Sequence, residues 1–377
     1  MPATLPVGEF TTVVVEFHIG EEAIPTGGHL GLLWRWAYDW SDLQTNAPSE
    51  QGYLTVSVNS ASGDAAKLSV RYNAYGGIEP YNHALKLTVD SGELRPGDCV
   101  RLVCGDQSGG GPGWRAPTLA TEDVGFLLLI DSKGDEQWTE LIGPQTQTCE
   151  MVPRKAETLH VIAPSDTVVN EESLVIVRAV DCWGNPTPLD EVPAFSIEGD
   201  SEAAQIDNVR QAANGRVYHA TLKVQRPGLY RVLAQSQSLG ITSTSNPCRV
   251  HKESPPLSVF WGDLHAGQCD MGCGAGSLTD HYEYGRDIAG LQFITHQAND
   301  HYVTSEDWIY SRAVTESFYE PGRYVPFLGC EWSPPTRDGG DRNVFYRNDE
   351  PRLRRSARFF EEESPDPEPD LPTAPEF

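Results

Sequence analysis

Residue types that bind metals recur where short apolar runs end. Phe260-Trp261-Gly262-Asp263-Leu264-His265 closes on an aspartate and a histidine. Leu291-Gln292-Phe293-Ile294-Thr295 leads into His296, and Tyr324-Val325-Pro326-Phe327-Leu328 passes through Gly329-Cys330 into Glu331. A polar group at the end of a buried strand costs free energy unless something uses it. Imidazole and carboxylate together suit zinc, manganese or iron, and clustered divalent ions would activate water for hydrolysis. His265 and His296 lie 31 residues apart, and His296 and Glu331 lie 35 apart. That is close to the ~31 residues allotted to each unit of an eight-unit βα barrel. Asp263 is placed to cap its strand or to orient His265.

These side chains need strands that end on one rim. Val259–Leu264 reads as a short buried strand, and Ser277-Leu278-Thr279-Asp280 as a helix start in which aspartate replaces the usual Glu or Gln of a capping box. Gly290 is the expected stop, with Leu278, Tyr282, Gly285 and Ala289 on one helical face. Thr304-Ser305-Glu306-Asp307 opens a second helix that Pro321-Gly322 ends; Trp308, Arg312 and Thr315 are too mixed to fix its buried face. Strand, helix, strand, helix, strand implies parallel pairing through helical crossovers.

The rest of the chain has a different grammar. Over 1–155, Thr11–Phe17, Tyr53–Val58, Lys67–Tyr72, Ala84–Val89, Cys99–Cys104 and Val124–Ile130 are β-rich runs separated by glycine and proline, which predicts an antiparallel β domain. Trp34, Trp36 and Trp40 are evenly spaced and are expected to pack on one strand face. Gly105–Gly113 lacks the lysine and following helix of a phosphate loop and reads as a turn. Over 156–252, Leu159–Ile162, Leu174–Val180, Val217–Val224, Leu229–Ala234 and Ile241–Ser243 suggest an immunoglobulin-like sandwich. Pro227-Gly228-Leu229-Tyr230 resembles its tyrosine-bearing corner. Residues 253–377 then carry the metal-ligand pattern.

The formal charge of -26 over 377 residues argues against general affinity for nucleic acid or anionic membrane. The sequence lacks the basic start and apolar run of a secretory signal, so eight scattered cysteines are expected as free thiols and the location as cytoplasmic. Cys269-x3-Cys273 is a zinc half-site without a matching second pair.

Trp-Gly-Asp-Leu-His at 261–265, Thr-His-Gln-Ala-Asn-Asp at 295–300, Pro-Gly-Arg-Tyr-Val-Pro-Phe-Leu-Gly-Cys-Glu-Trp-Ser at 321–333 and Gly-Gly-Asp-Arg-Asn-Val at 339–344 resemble a family of uncharacterised bacterial proteins. That family is related to the polymerase-and-histidinol-phosphatase (PHP) superfamily of metal-dependent phosphoesterases. The resemblance implies a PHP-like, TIM-type α/β barrel holding up to three divalent transition metal ions. It matches His265 and Glu331 to superfamily ligands and places His296 and Asp300 where its Thr-Asp-His signature falls. Asp263 and Asp270 complete the expected metal set, and Asp300 or a neighbouring carboxylate is the expected proton acceptor. Gly267 stands where the superfamily has a second histidine, so Asp270 or Cys273 would have to replace it. Asn343 falls where the superfamily often has another histidine, and its last ligands have no counterpart before Phe377. Roughly 120 residues after the second linker would build only half of a barrel of about 250, so an incomplete portion of a longer protein is expected, with a closed smaller fold as the alternative.

Arg337, Arg342, Arg347, Arg352, Arg354, Arg355 and Arg358 follow Glu331 in an acidic chain. Guanidinium binds phosphate bidentately, so Arg342 is the expected contact to a small anionic phosphoester; pairing with the acidic, proline-rich stretch 361–370 is the competing use. The leading expectation is a metal-dependent phosphoesterase. Its rival is a non-catalytic binding or assembly protein, with recognition through β-sandwich domains and a degenerate or truncated barrel.

Overall fold

The computed structural model describes residues 2–60, 62–78, 80–141, 148–213, 215–347, 352–358 and 369–375. The chain forms two compact units, Met1–Val152 with Cys273–Ala275, and Pro153–Gly272 with Gly276–Phe377. Most of the acidic stretch 361–370 lies outside the described residues.

In the first unit, alternating apolar and polar residues let Val13–His18, Cys99–Cys104 and Leu54–Asn59 pair antiparallel, with Cys99–Cys104 in the middle. A second sheet runs Thr139–Glu140, Leu127–Asp131, His29–Trp34, His83–Ser91, Lys67–Asn73. Val13, Phe17, Val100 and Leu102 of the first sheet share one core with Leu30, Leu32, Leu85 and Leu87 of the second. The tryptophans do not share one strand face, because the strand stops at Trp34. Trp34 and Trp40 are buried, Trp40 stacking on Trp114 at 4.1 Å between ring centroids, while Trp36 is exposed and stacks on His83. Gly105 has φ +74°, and a Cβ there would lie 2.3 Å from the Trp114 nitrogen; only glycine fits that close approach.

In the second unit, Thr158–Ile162, Glu172–Val180, Val217–Val224 and Ala204–Gln211 form one sheet of a sandwich. Asp166–Val168, Cys248–His251, Gly228–Ser236 and Ala194–Glu198 form the other. Leu159, Val175, Val177 and Leu222 meet Tyr230, Val232, Ala234 and Val250 between them. The Tyr230 hydroxyl donates to the Arg226 carbonyl at 3.0 Å, the expected corner. Asp181 accepts backbone N–H groups from Arg154, Trp183 and Asn185 and so fixes the turn at 181–186.

Beyond the sandwich, Gly262–Asp263, Phe293–Thr295 and Val325–Phe327 form a three-stranded parallel sheet in that order. Both helix starts are capping boxes with aspartate in the third position, Ser277 with Asp280 and Thr304 with Asp307. Gly290 ends the first helical segment at φ +70°. The second helix, Ser305–Ser317, buries Trp308, Ser311 and Thr315.

The α/β barrel portion expected for 253–377 is not formed. After Phe327 the chain makes an antiparallel hairpin, Gly329–Trp332 with Arg342–Phe345, where a barrel needs a helical crossover to another parallel strand. The described residues contain two α-helices among many strands. The fold is β-rich with a β-sandwich, and the PHP-like and hydrolase description loses the architecture on which it rested. Nor is Val259–Leu264 a buried strand: only Gly262–Asp263 pairs, and Val259, Phe260, Trp261 and Leu264 are exposed.

Candidate functional site

The parallel sheet and the hairpin bring His265 and Glu331 into one polar cluster with three amide side chains. Past Thr295 the chain stays extended and docks beside the hairpin: the Glu331 amide donates to the Ala298 carbonyl, and the Asp300 amide to the Glu331 carbonyl, each at 2.8 Å. Successive side chains of an extended segment point to opposite sides. Asn299 therefore faces Glu331, and Asp300 faces away. Asn299 Nδ2 donates to Glu331 Oε2 at 2.8 Å and to Ser333 Oγ at 3.0 Å. Gln268 Nε2 donates to Asn299 Oδ1 at 2.8 Å and to the same Glu331 oxygen at 3.2 Å. His265 Nδ1 pairs with Asn343 Oδ1 at 2.9 Å, because Asn343 sits opposite Glu331 in the hairpin register. Burial, with the nearby Asp341 carboxylate, holds the Glu331 carboxyl above its ordinary range, against the pull of His265 and the amide donors.

The other expected site residues are used differently. His296 is buried, and its Nε2 accepts the Cys269 backbone N–H at 3.1 Å. Burial first, and then the neighbouring His281, bring its pKa down to about 3. Asp300 is fully buried and accepts from the Ser333 amide at 2.7 Å and from the Ser356 amide and hydroxyl. Asp263 accepts the His265 backbone N–H at 2.8 Å, the turn-capping alternative. Asp270 is exposed, its backbone N–H donating to the Gly276 carbonyl. Arg342 Nη1 donates to the Gly339 and Gly340 carbonyls, and its guanidinium lies over the Trp332 ring at 5.5 Å. Arg355 donates to the Val303 carbonyl, and Arg358 pairs with Asp370. Cys269 is buried, its thiol pushed up to about 12 by burial.

These residues do not fit a cluster of metal ions. A ligand needs its lone pair aimed at a shared point. Here Nε2 of His296 and both oxygens of Asp300 accept protein N–H or O–H groups instead. Among the described residues, no three of His265, His296, Glu331, Asp263 and Asp270 hold ligand atoms within 4.8 Å of one another. Asn299 and Ser333 lie within the quoted motifs without an expected role, and Gln268 outside them, since amides and hydroxyls are weak metal ligands. The signal was the alternation within Ala298-Asn299-Asp300, which becomes readable once Glu331 is known to lie alongside.

Residues 278–371 match a family described as "Protein of unknown function (DUF3604)". None of the curated proteins matches. Among solved structures, domains 4 and 5 of the S-layer protein SbsC align at 16% identity over 36% of this chain and 68% of that one, with a TM-score of 0.20. The Escherichia coli adhesin FdeC aligns at 13% over 66% and 65%, and Yersinia pseudotuberculosis InvD at 13% over 65% and 60%, each with a TM-score of 0.24.

Proposed function

We propose that the chain is a binding protein whose cluster around Glu331 recognises a neutral, hydroxyl-rich ligand such as a saccharide. The observation that carries this reading is the Gln268–Asn299–Glu331 network with His265–Asn343 beside it. The amide groups add no charge, and Asn299 and Gln268 spend their N–H donors on Glu331, Ser333 and each other, which holds the Glu331 carboxylate in place. Oε2 of Glu331 takes both amide bonds, so Oε1 is the acceptor left for a ligand hydroxyl. Two carboxylates, Glu331 and Asp341, act on this spot, which disfavours an anionic phosphoester, and Arg342 spends its Nη1 on backbone carbonyls.

A panel of neutral mono- and disaccharides screened by saturation-transfer NMR tests it. At least one sugar should bind the wild type and be lost in Glu331→Ala and Asn299→Ala. Absence of binding across the panel discards the proposal. So does divalent-metal-dependent turnover of a chromogenic phosphoester that disappears in His265→Ala and Glu331→Ala.

A further inference from the structure

A second set of ligand-type side chains lies in the first unit. Glu16 and His18 are two residues apart on the Val13–His18 strand and therefore share a face. The antiparallel register sets Cys99 directly opposite His18, and Arg101 opposite Glu16. One ligand atom from each of Glu16, His18 and Cys99 lies within 4.8 Å of the other two. The two carboxylate oxygens of Glu16 are divided: Oε1 accepts from Arg101 Nη1 at 2.6 Å, while Oε2 lies 3.8 Å from His18 Nε2. Both side chains are open to solvent, at 74% for His18 and 40% for Glu16.

We infer that Glu16, His18 and Cys99 form a surface site for a borderline-soft divalent transition metal, zinc in the first instance. Thiolate sulfur, imidazole nitrogen and one carboxylate oxygen are the donor types that zinc takes in tetrahedral coordination, and an open face leaves the fourth position to water. Arg101 holds Oε1 and thereby turns Oε2 towards the site, as an outer partner orients a ligand. The sheet fixes the three Cα positions in advance. Binding forms a Zn–S bond and releases the Cys99 thiol proton to solvent. Burial and the Glu16 carboxylate hold that thiol above its ordinary range, so the metal has to displace a proton to enter.

Cobalt(II) titration of the reduced full chain reads the site directly, because only thiolate ligation gives a near-ultraviolet sulfur-to-cobalt charge-transfer band. The wild type should show that band, and zinc should quench it by displacement. Cys99→Ser should abolish it. His18→Ala should weaken cobalt binding roughly tenfold or more, and Cys182→Ser, at the exposed cysteine, should leave it unchanged. His18 and Cys182 are surface residues whose replacement leaves the core untouched, and circular dichroism confirms that each variant is folded. A band that persists in Cys99→Ser, or is lost in Cys182→Ser, or is absent from the wild type, overturns the assignment.

Discussion

Two of the places where this molecule brings imidazole and carboxylate together use them in opposite ways. Around Glu331 the residues spaced like ligands are drawn into the protein's own hydrogen bonds: His296 accepts the Cys269 amide, and Asp300 serves Ser333 and Ser356. On the Val13–His18 strand the imidazole and the carboxylate stay at the surface, with a thiol directly across the ladder. The first place has the sequence spacing of a metal site without convergence. The second has convergence without any sequence spacing, since it is made by strand register. Register, not separation along the chain, decides which donors meet.

Four measurements would break or sharpen this contrast. The largest effect is expected at Asp300. Asp300→Ala leaves buried N–H groups of Ser333 and Ser356 without their acceptor and should cost roughly 3 kcal/mol in denaturant unfolding; a loss under about 1 kcal/mol would free Asp300 for chemistry. Next comes acid stability. His296 falls from an ordinary 6.5 to about 3 in the folded chain, so the unfolded chain takes up its proton first as pH drops. Its contribution is complete above pH 6.5 and is lost as pH falls towards about 3. Between pH 6.5 and 5 that is roughly 2 kcal/mol, and His296→Gln should remove this share of the slope. A variant with the wild-type slope would mean that His296 is already protonated in the fold, or reachable by solvent.

The third measurement sets the two sites against each other. Cobalt affinity should fall about tenfold in His18→Ala and stay unchanged in His265→Ala; the reverse result exchanges the roles assigned to them. The smallest effect concerns Glu331. Its carboxyl is raised, so stability is greatest when it is protonated and declines as pH rises through its folded value. Glu331→Gln should therefore stabilise the chain at neutral pH by less than ~1 kcal/mol, given its partial exposure. The difference should vanish below the ordinary carboxyl range, and a destabilising substitution would show that the charge itself holds the amides in place.

What the sequence disclosed follows from how local each signal is. Cys99–Cys104 and Val217–Val224 are strands over the expected residues, because alternation over several residues suffices to specify them. The two capping boxes and the Tyr230 corner were legible for the same reason. The strands Ala194–Glu198 and Ala204–Gln211 passed unnoticed; the second is almost wholly exposed and polar, so it carries no apolar period. The barrel expectation failed at Pro334–Gly340, where a turn that returns the chain antiparallel replaced the needed helix. Trp36 failed likewise, since nothing in an even spacing says where a strand stops. Of the polar cluster, His265 and Glu331 could be named from the sequence. Asn343 stands out there too, at a superfamily histidine position, whereas the roles of Gln268 and Asn299 depend on pairings between distant segments.

The seam between the sandwich and the segment after it also governs how this chain is made. Trp261 Nε1 donates to Ser165 Oγ at 2.7 Å, the Val259 amide to Asp166, and Arg178 to the Ile288 carbonyl. Ile288 packs with Ile176 and Val217, and Gly290 lies so close to Ile162 and Ile176 that a Cβ would press on both. During synthesis residues 153–251 leave the ribosome before residues 257–290 do. A sandwich that folds as a unit would offer the later residues a surface to pack on, which suits a parallel sheet of three very short strands. Severed from residues 153–252, the later segment would lose its template, and Ile288 would be left facing water.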